Sequence, residues 1–146
     1  MIYREAPEGF EPRFNIVSCF VEHDGRFVLL HRPIQKSQGG KWGVPAGKMD
    51  AGETELQAMV REMKEETGLD VQPESLKYYT KLFVRYPDYD FGYTMFSLSV
   101  DEAPNIVLSP QEHQDFRWVT PEEALTMPLV DDLDGCIKMF YPHSNS

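Results

Sequence analysis

Residues 46–69 read A-G-K-M-D-A-G-E-T-E-L-Q-A-M-V-R-E-M-K-E-E-T-G-L, and their pattern decides the fold. The stretch opens as a loop set by Gly43, Pro45, Gly47 and Gly52. From about Thr54 the spacing of Leu56, Met59, Val60, Met63 and Thr67 predicts a helix with one apolar arc of about 100°. Gly68 stands where a left-handed cap would end it. Glu62, Glu65 and Glu66 share the neighbouring arc with the small Ala58, while Gln57, Arg61 and Lys64 take the remaining, wetter side. Two carboxylates about 5 Å apart repel by roughly 3 kcal/mol at an effective dielectric near 20. Arg61 pairs with Glu65 at i,i+4 but cannot neutralise three acids. Hard divalent cations favour such oxygen ligands, and Mg²⁺ commonly completes its shell with water and substrate phosphates.

Gly47, five residues, Glu53, seven residues, then Arg61-Glu62-Met63-Lys64-Glu65-Glu66-Thr67-Gly68-Leu69 is the Nudix box without a departure. At about one in fifteen per fixed residue type, the pattern arises by chance with odds on the order of 10⁻⁸. The chain therefore resembles the Nudix hydrolases. Leu29-Leu30-His31-Arg32 followed by Trp42-Gly43-Val44-Pro45-Ala46-Gly47 resembles the usual entry to that box. The resemblance casts Arg32 near substrate phosphate or ribose, and gives Ala46, which replaces the usual Gly, a backbone carbonyl for the metal. Glu112-His113 before Trp118-Val119 resembles the family's late segment, which makes Glu112 a further metal ligand or base.

At 146 residues the chain is expected to form one domain over 1–146, with an N-terminal arm at 1–12 and a loose tail at 142–146. No apolar run approaches the roughly 20 residues of a membrane span. Cys19 and Cys136 are unclustered and read as buried reduced thiols of a cytoplasmic protein. The net charge of −10 argues against a nucleic-acid polymer as partner. It leaves room for a small phosphorylated nucleotide approaching a screening metal, with Arg32, Lys36, Lys41 and Lys48 near the box. A homodimer stays open.

Asp24-Gly25 between two apolar runs predicts a tight hairpin whose strands are covered on both faces. Two further strands are expected at 76–86 and 91–100 around a Pro87–Asp90 turn, then a short one at 116–119. Thr120-Pro121-Glu122-Glu123 predicts a capped helix start, and a last helix is expected at about 130–141. This α/β order fits a sheet with helices on its faces, and the resemblance sharpens it to a Nudix-type α/β/α sandwich with a mixed β-sheet.

The resemblance implies an Mg²⁺-dependent hydrolase, with Mn²⁺ as the alternative ion, cleaving a diphosphate linkage in a nucleoside diphosphate derivative. A nucleoside triphosphate pyrophosphohydrolase is the preferred reading; nucleotide sugars and dinucleoside polyphosphates are alternatives. The metal set is then Glu62, Glu65, Glu66, Ala46 and Glu112, and the catalytic set Glu62, Glu65, Arg61 and Glu112. Glu62 and Glu112 compete for the role of base. Arg32, Lys41, Phe83 and Tyr93 are the substrate candidates, the aromatics as stacking surfaces. A nucleotide-binding sensor that cleaves nothing is the rival, and its weakness is that a sensor has no need of clustered carboxylates.

Overall fold

The computed structural model describes residues 1–142. The tail expected at 142–146 lies, apart from Pro142, outside the described residues. Among these, eight strands form one sheet. They are β1 (Ile2–Tyr3), β2 (Pro12–His23), β3 (Arg26–His31), β4 (Trp42–Gly43), β5 (Ala46–Lys48), β6 (Lys77–Arg85), β7 (Asp90–Ser99) and β8 (Asp115–Val119). Three α-helices and a short 3-10 helix (Pro73–Ser75) accompany them, the α-helices being α1 (Glu55–Thr67), α2 (Pro121–Ala124) and α3 (Leu133–Phe140). The sheet is mixed, because β2 runs parallel to β7 while the other strand pairs are antiparallel.

The Asp24-Gly25 hairpin forms as expected, with His23 opposite Arg26 and both turn residues at positive φ. Beyond Glu22 and Phe27 the two strands part. On that side of β2 the antiparallel partner becomes β5, while β3 is lined by β4 and β8. The arm at 1–12 is less irregular than its prolines and glycine suggest, since Ile2 and Tyr3 add an edge strand to β6.

Residues 17–21 of β2 are all buried, and alternation sends them to two separate cores. Val17, Cys19 and Val21 pack with Ala58, Met59 and Met63 of α1 and with Phe96 and Leu98 of β7. Phe20 joins Phe27, Leu29, Leu82 and Met95, and Leu133, Cys136 and Ile137 of α3 cover that side. One helix on each face of a mixed sheet gives the α/β/α sandwich.

α1 starts in a capping box, with Thr54 and Gln57 each bonding the other's main-chain N–H. It ends on Gly68 at φ 76°, whose N–H bonds the Lys64 carbonyl. The buried arc, however, is turned toward the acids. Ala58, Met59, Glu62, Met63, Glu66 and Thr67 are buried, whereas Leu56 is 36 % exposed. Likewise α3 begins later than expected, at Leu133, because Asp132 adopts a left-handed conformation just before it. At the far end of the β6–β7 hairpin, Asp90 receives two bonds from Arg85 and one from the Glu11 N–H.

Two tests follow from this frame. A Cβ at Gly68 would sit 2.9 Å from the Val107 Cβ and would also force an L-residue to a positive φ. Gly68→Ala is expected to lower stability by about 1–2 kcal/mol, read as a fall in melting temperature of roughly 2–8 °C. The second test concerns Asp90, whose carboxyl is pulled from 3.8 to about 2, first by the Arg85 hydrogen bonds and then by the Glu11 N–H. A lowered folded-state pKa gives stability that is complete above the unfolded value and lost as pH falls through the folded one. Asp90→Asn should therefore be less stable than the unaltered chain at pH 7, and urea titrations should show the gap closing between pH 4 and 2.

Candidate active site

β5 lies beside β2, with Ala46 opposite Ser18 and Gly47 opposite Val17, and α1 packs over it. The Ala46 N–H donates to Glu66 Oε1 at 2.8 Å. One residue on, a Cβ at Gly47 would land on the Glu62 carboxylate, so glycine is what lets that carboxylate lie flat on the strand. Glu62 and Glu66 are thereby buried to 8 % and 7 % exposure, while Glu65 stays at the surface.

Arg61 binds the acids together. Its Nε and Nη2 reach Glu53 at 2.7 and 2.9 Å, and its Nη1 reaches Glu62 at 2.7 Å and Glu65 at 3.2 Å. Nη2 also bonds the Lys48 carbonyl, and Asp50 lies 3.3 Å from Nε. Glu53 additionally accepts the Asp50 N–H, so it closes the loop entering α1. The Arg61 hydrogen bonds, helped by that N–H, bring the Glu53 carboxyl down to about 2. Glu62 and Glu66 shift the other way. Burial raises Glu62 despite Arg61, and burial raises Glu66 to about 8 despite the Ala46 N–H, with Glu62 and Glu112 adding to the rise.

Among the described residues, no three Asp, Glu, His or Cys side chains stand close enough to hold an ion as they are. Arg61 draws Glu62 and Glu65 one way, and the Ala46 N–H draws Glu66 the other. The donor set still fits a hard divalent cation. It consists of carboxylates carried on one rigid helix, two of them buried against β5.

On the opposite face of the sheet a cavity of about 220 Å³ opens beside this cluster. Phe14, Tyr86, Tyr89, Phe91 and Tyr93 give it aromatic walls, and Asp131 and Asp132 stand on its α3 side. Tyr86 donates its hydroxyl to Asp132 at 2.9 Å, and Gln38 accepts the Asp131 N–H. Ala46, Arg32 and His113 also line it. Ala46 therefore belongs to both halves, touching Glu66 through its N–H and the cavity through its side.

Residues 11–140 match the NUDIX domain family. The chain belongs to the Nudix hydrolase family. It is 32 % identical to a CTP pyrophosphohydrolase of Escherichia coli K12 over 117 residues, which is 79 % of this chain and 82 % of that protein. It is 31 % identical to phosphatase NudJ of E. coli O1:K1, covering 87 % of this chain and 84 % of the relative. Among solved structures, that of the E. coli ORF135 protein superposes with a TM-score of 0.76 at 27 % identity, covering 96 % of each chain.

In this Nudix hydrolase the expected site residues divide into those that meet and those that do not. Glu62, Glu65, Arg61, Glu53 and Gly47 cluster, and Glu66 joins them through Ala46. Ala46 is not among the residues at positive φ, so its replacement of glycine brings no strain. Glu112 lies half exposed on the turn from Ser109, 3.6 Å from Lys36. Arg32 lines the cavity and bonds Ser37. Lys41 stands outside it and holds Asp131 at 3.3 Å. Tyr93 lines the cavity, whereas Phe83 falls on the other face of β6 and packs edge-on against Phe10. Tyr86, Tyr89, Phe91, Gln38, Asp131 and Asp132 are cavity residues that sequence reasoning missed. The Tyr-Pro-Asp-Tyr-Asp-Phe run carried a signal in its aromatics, which as a plain hairpin turn would be needlessly apolar.

Gly47→Ala tests the seat of Glu62. The added methyl should displace that carboxylate, so divalent-ion affinity should fall at least tenfold while the circular dichroism spectrum is kept. Titration calorimetry with Mn²⁺ on both proteins checks this.

Proposed function

We propose that the protein hydrolyses nucleoside triphosphates to nucleoside monophosphates in an Mg²⁺-dependent reaction. The observation that carries this reading is the position of Ala46, which joins an aromatic cavity suited to a flat base to a carboxylate cluster suited to a diphosphate and its ion. The CTP pyrophosphohydrolase similarity makes cytidine triphosphate the first substrate to try. Nucleotide sugars and dinucleoside polyphosphates carry a second bulky group beyond the diphosphate, and the same panel should contain them. The rival sensor reading gives way, since the chain belongs to a hydrolase family and keeps every acid of the box.

Glu62, Glu65, Glu66, Glu112 and the Ala46 carbonyl would hold the ion. When bound, Mg²⁺ or Mn²⁺ supplies positive charge to the phosphoryl oxygens and eases loss of a water proton. The chain's own residues do the rest. Tyr86, Tyr89, Phe91 and Tyr93 shelter the base, and Arg32 and Lys36 meet the phosphates. Glu62 or Glu112 takes the proton from the attacking water. Water adds to phosphorus, the bridging P–O bond breaks, and the leaving diphosphate takes the electron pair. Arg61 fixes Glu62 and Glu65 and keeps Glu53 on the loop. Cys19 and Cys136 are free and buried, which suits the cytoplasm.

Glu62 is locked between Gly47 and Arg61, whereas Glu112 rides an exposed turn. Glu62→Gln should therefore lower kcat by more than about 10², and Glu112→Gln by less. Product-resolved kinetics on a nucleotide panel at saturating Mg²⁺ checks both points. No cleavage of any panel member would defeat the functional reading. A larger kcat loss at Glu112, with metal affinity kept, would move the base to the turn.

A further inference from the structure

His113 lies on the turn after Ser109, where it reads as an ordinary structural or surface histidine in the sequence. The fold puts it elsewhere. It is 5 % exposed, it forms part of the cavity wall, and its Nδ1 is the one buried side-chain nitrogen or oxygen without a hydrogen-bond partner among the described residues. Such an atom weakens the folded protein, and native structures hold few of them. If packing were the only need here, Phe or Leu would fill the same space without that penalty.

The neighbours say which part of a ligand arrives at this point. His113 directly follows Glu112 in the chain and lines the cavity together with Arg32, so it sits toward the carboxylate end. Ala46 marks the same end through its bond to Glu66. A base held among Tyr86, Tyr89 and Phe91, with its diphosphate at Glu62 and Glu66, would place its sugar and first phosphate between. A half-turn of the imidazole about Cβ–Cγ is nearly isosteric and exchanges Nδ1 with Cδ2, so the nitrogen can be offered from either edge of the ring.

We infer that His113 is a substrate-contacting residue whose Nδ1 takes its missing partner from an oxygen of the nucleotide's sugar–phosphate portion. The inference rests on the nucleotide-hydrolase reading above and adds a residue to it. The apo protein carries the unpaired nitrogen, and substrate binding pairs it. Binding is then favoured by a group that otherwise only destabilises.

The test compares the unaltered protein with His113→Phe and His113→Gln, using whichever nucleoside triphosphate the unaltered protein hydrolyses fastest. His113→Phe should keep or raise the melting temperature without ligand, because the orphan nitrogen is gone. It should raise KM about tenfold, the loss of one hydrogen bond, with kcat changed less than threefold. His113→Gln should recover part of the KM loss. Repeating the pair on the 2′,3′-dideoxy nucleotide identifies the oxygen. The Phe penalty vanishes if it belongs to a sugar hydroxyl and persists if it belongs to phosphate. An unchanged KM in His113→Phe overturns the inference, as does a lowered melting temperature with KM kept, which would make His113 a packing residue. Should the Phe variant not fold, His113→Leu is read by the same criteria. Failure of the unaltered protein to cleave any nucleotide defeats the functional reading and this one with it, and is seen without any variant.

Discussion

Arg61 faces Asp50, Glu53, Glu62 and Glu65 at 3.3 Å or less, and that imbalance of charge governs the site. A single guanidinium has five N–H donors in a fixed fork, enough to orient several carboxylates and far too little charge to neutralise them. Its strongest partner is Glu53, which ties the loop at Asp50 to the helix and so sets where β5 lies relative to α1. Glu62 and Glu65 share what remains, and Glu66 receives none, relying on a main-chain N–H instead. The result is a graded set of acids on α1 and the loop that enters it. Glu53 is held ionised, while Glu62 and Glu66 are pushed by burial toward their protonated forms. A cation entering between them would meet acids carried on a rigid helix, whose carboxylates must still turn from Arg61 and the Ala46 N–H toward it.

The sheet solves a second problem, which is how the carboxylates of α1 come to lie beside a cavity on the α3 face. β2 and β3 pair only at the hairpin and then separate. β5 fills the β2 side of the opening and β4 the β3 side, while β8 runs along the outer edge of β3. Ala46 and Arg32 stand at that opening, between the carboxylates on one face and the aromatic cavity on the other. On the far side, the late start of α3 keeps the cavity from being filled. Asp132 breaks the chain direction at φ 68°, and its carboxylate is held by Tyr86.

Much of this was readable from the residues, and the failures have physical causes. The Asp-Gly turn, the Thr120 capping box and the Gly68 stop are local signals, each fixed by a few dihedrals, and each formed. The helical wheel misjudged its buried arc because hydropathy ranks Leu56 above Glu62. It cannot register that Gly47, fifteen positions earlier, gives a carboxylate somewhere to lie. Phe83 and Tyr93 looked equally suited to stacking, since Leu82-Phe83-Val84 is apolar at three successive positions and so hides which face points where. The parallel match of β2 with β7 joins residues nearly eighty apart and has no local mark. The cavity depends on that pairing, as Phe14 lies opposite Phe91 and Ile16 opposite Tyr93, and so it too was out of reach.

The two halves of the site are built from different material, and this bears on how the activity is divided. The acids of α1 stand on a capped helix packed over the core, where a displacement of one side chain disturbs Arg61 and every acid it holds. The cavity walls combine strand residues, Phe14 of β2 with Phe91 and Tyr93 of β7, with chain reversals: the Tyr86–Tyr89 turn, the loop carrying Gln38, the turn before His113, and the Val130–Asp132 segment ahead of α3. Loops accept substitution far better than packed helices do. A change at Tyr89 or Asp131 alters the shape of the cavity while leaving Gly47, Glu62 and Glu66 where they are. The carboxylate cluster is thus held by the rigid half, and the shape of the cavity is set in part by the adaptable one.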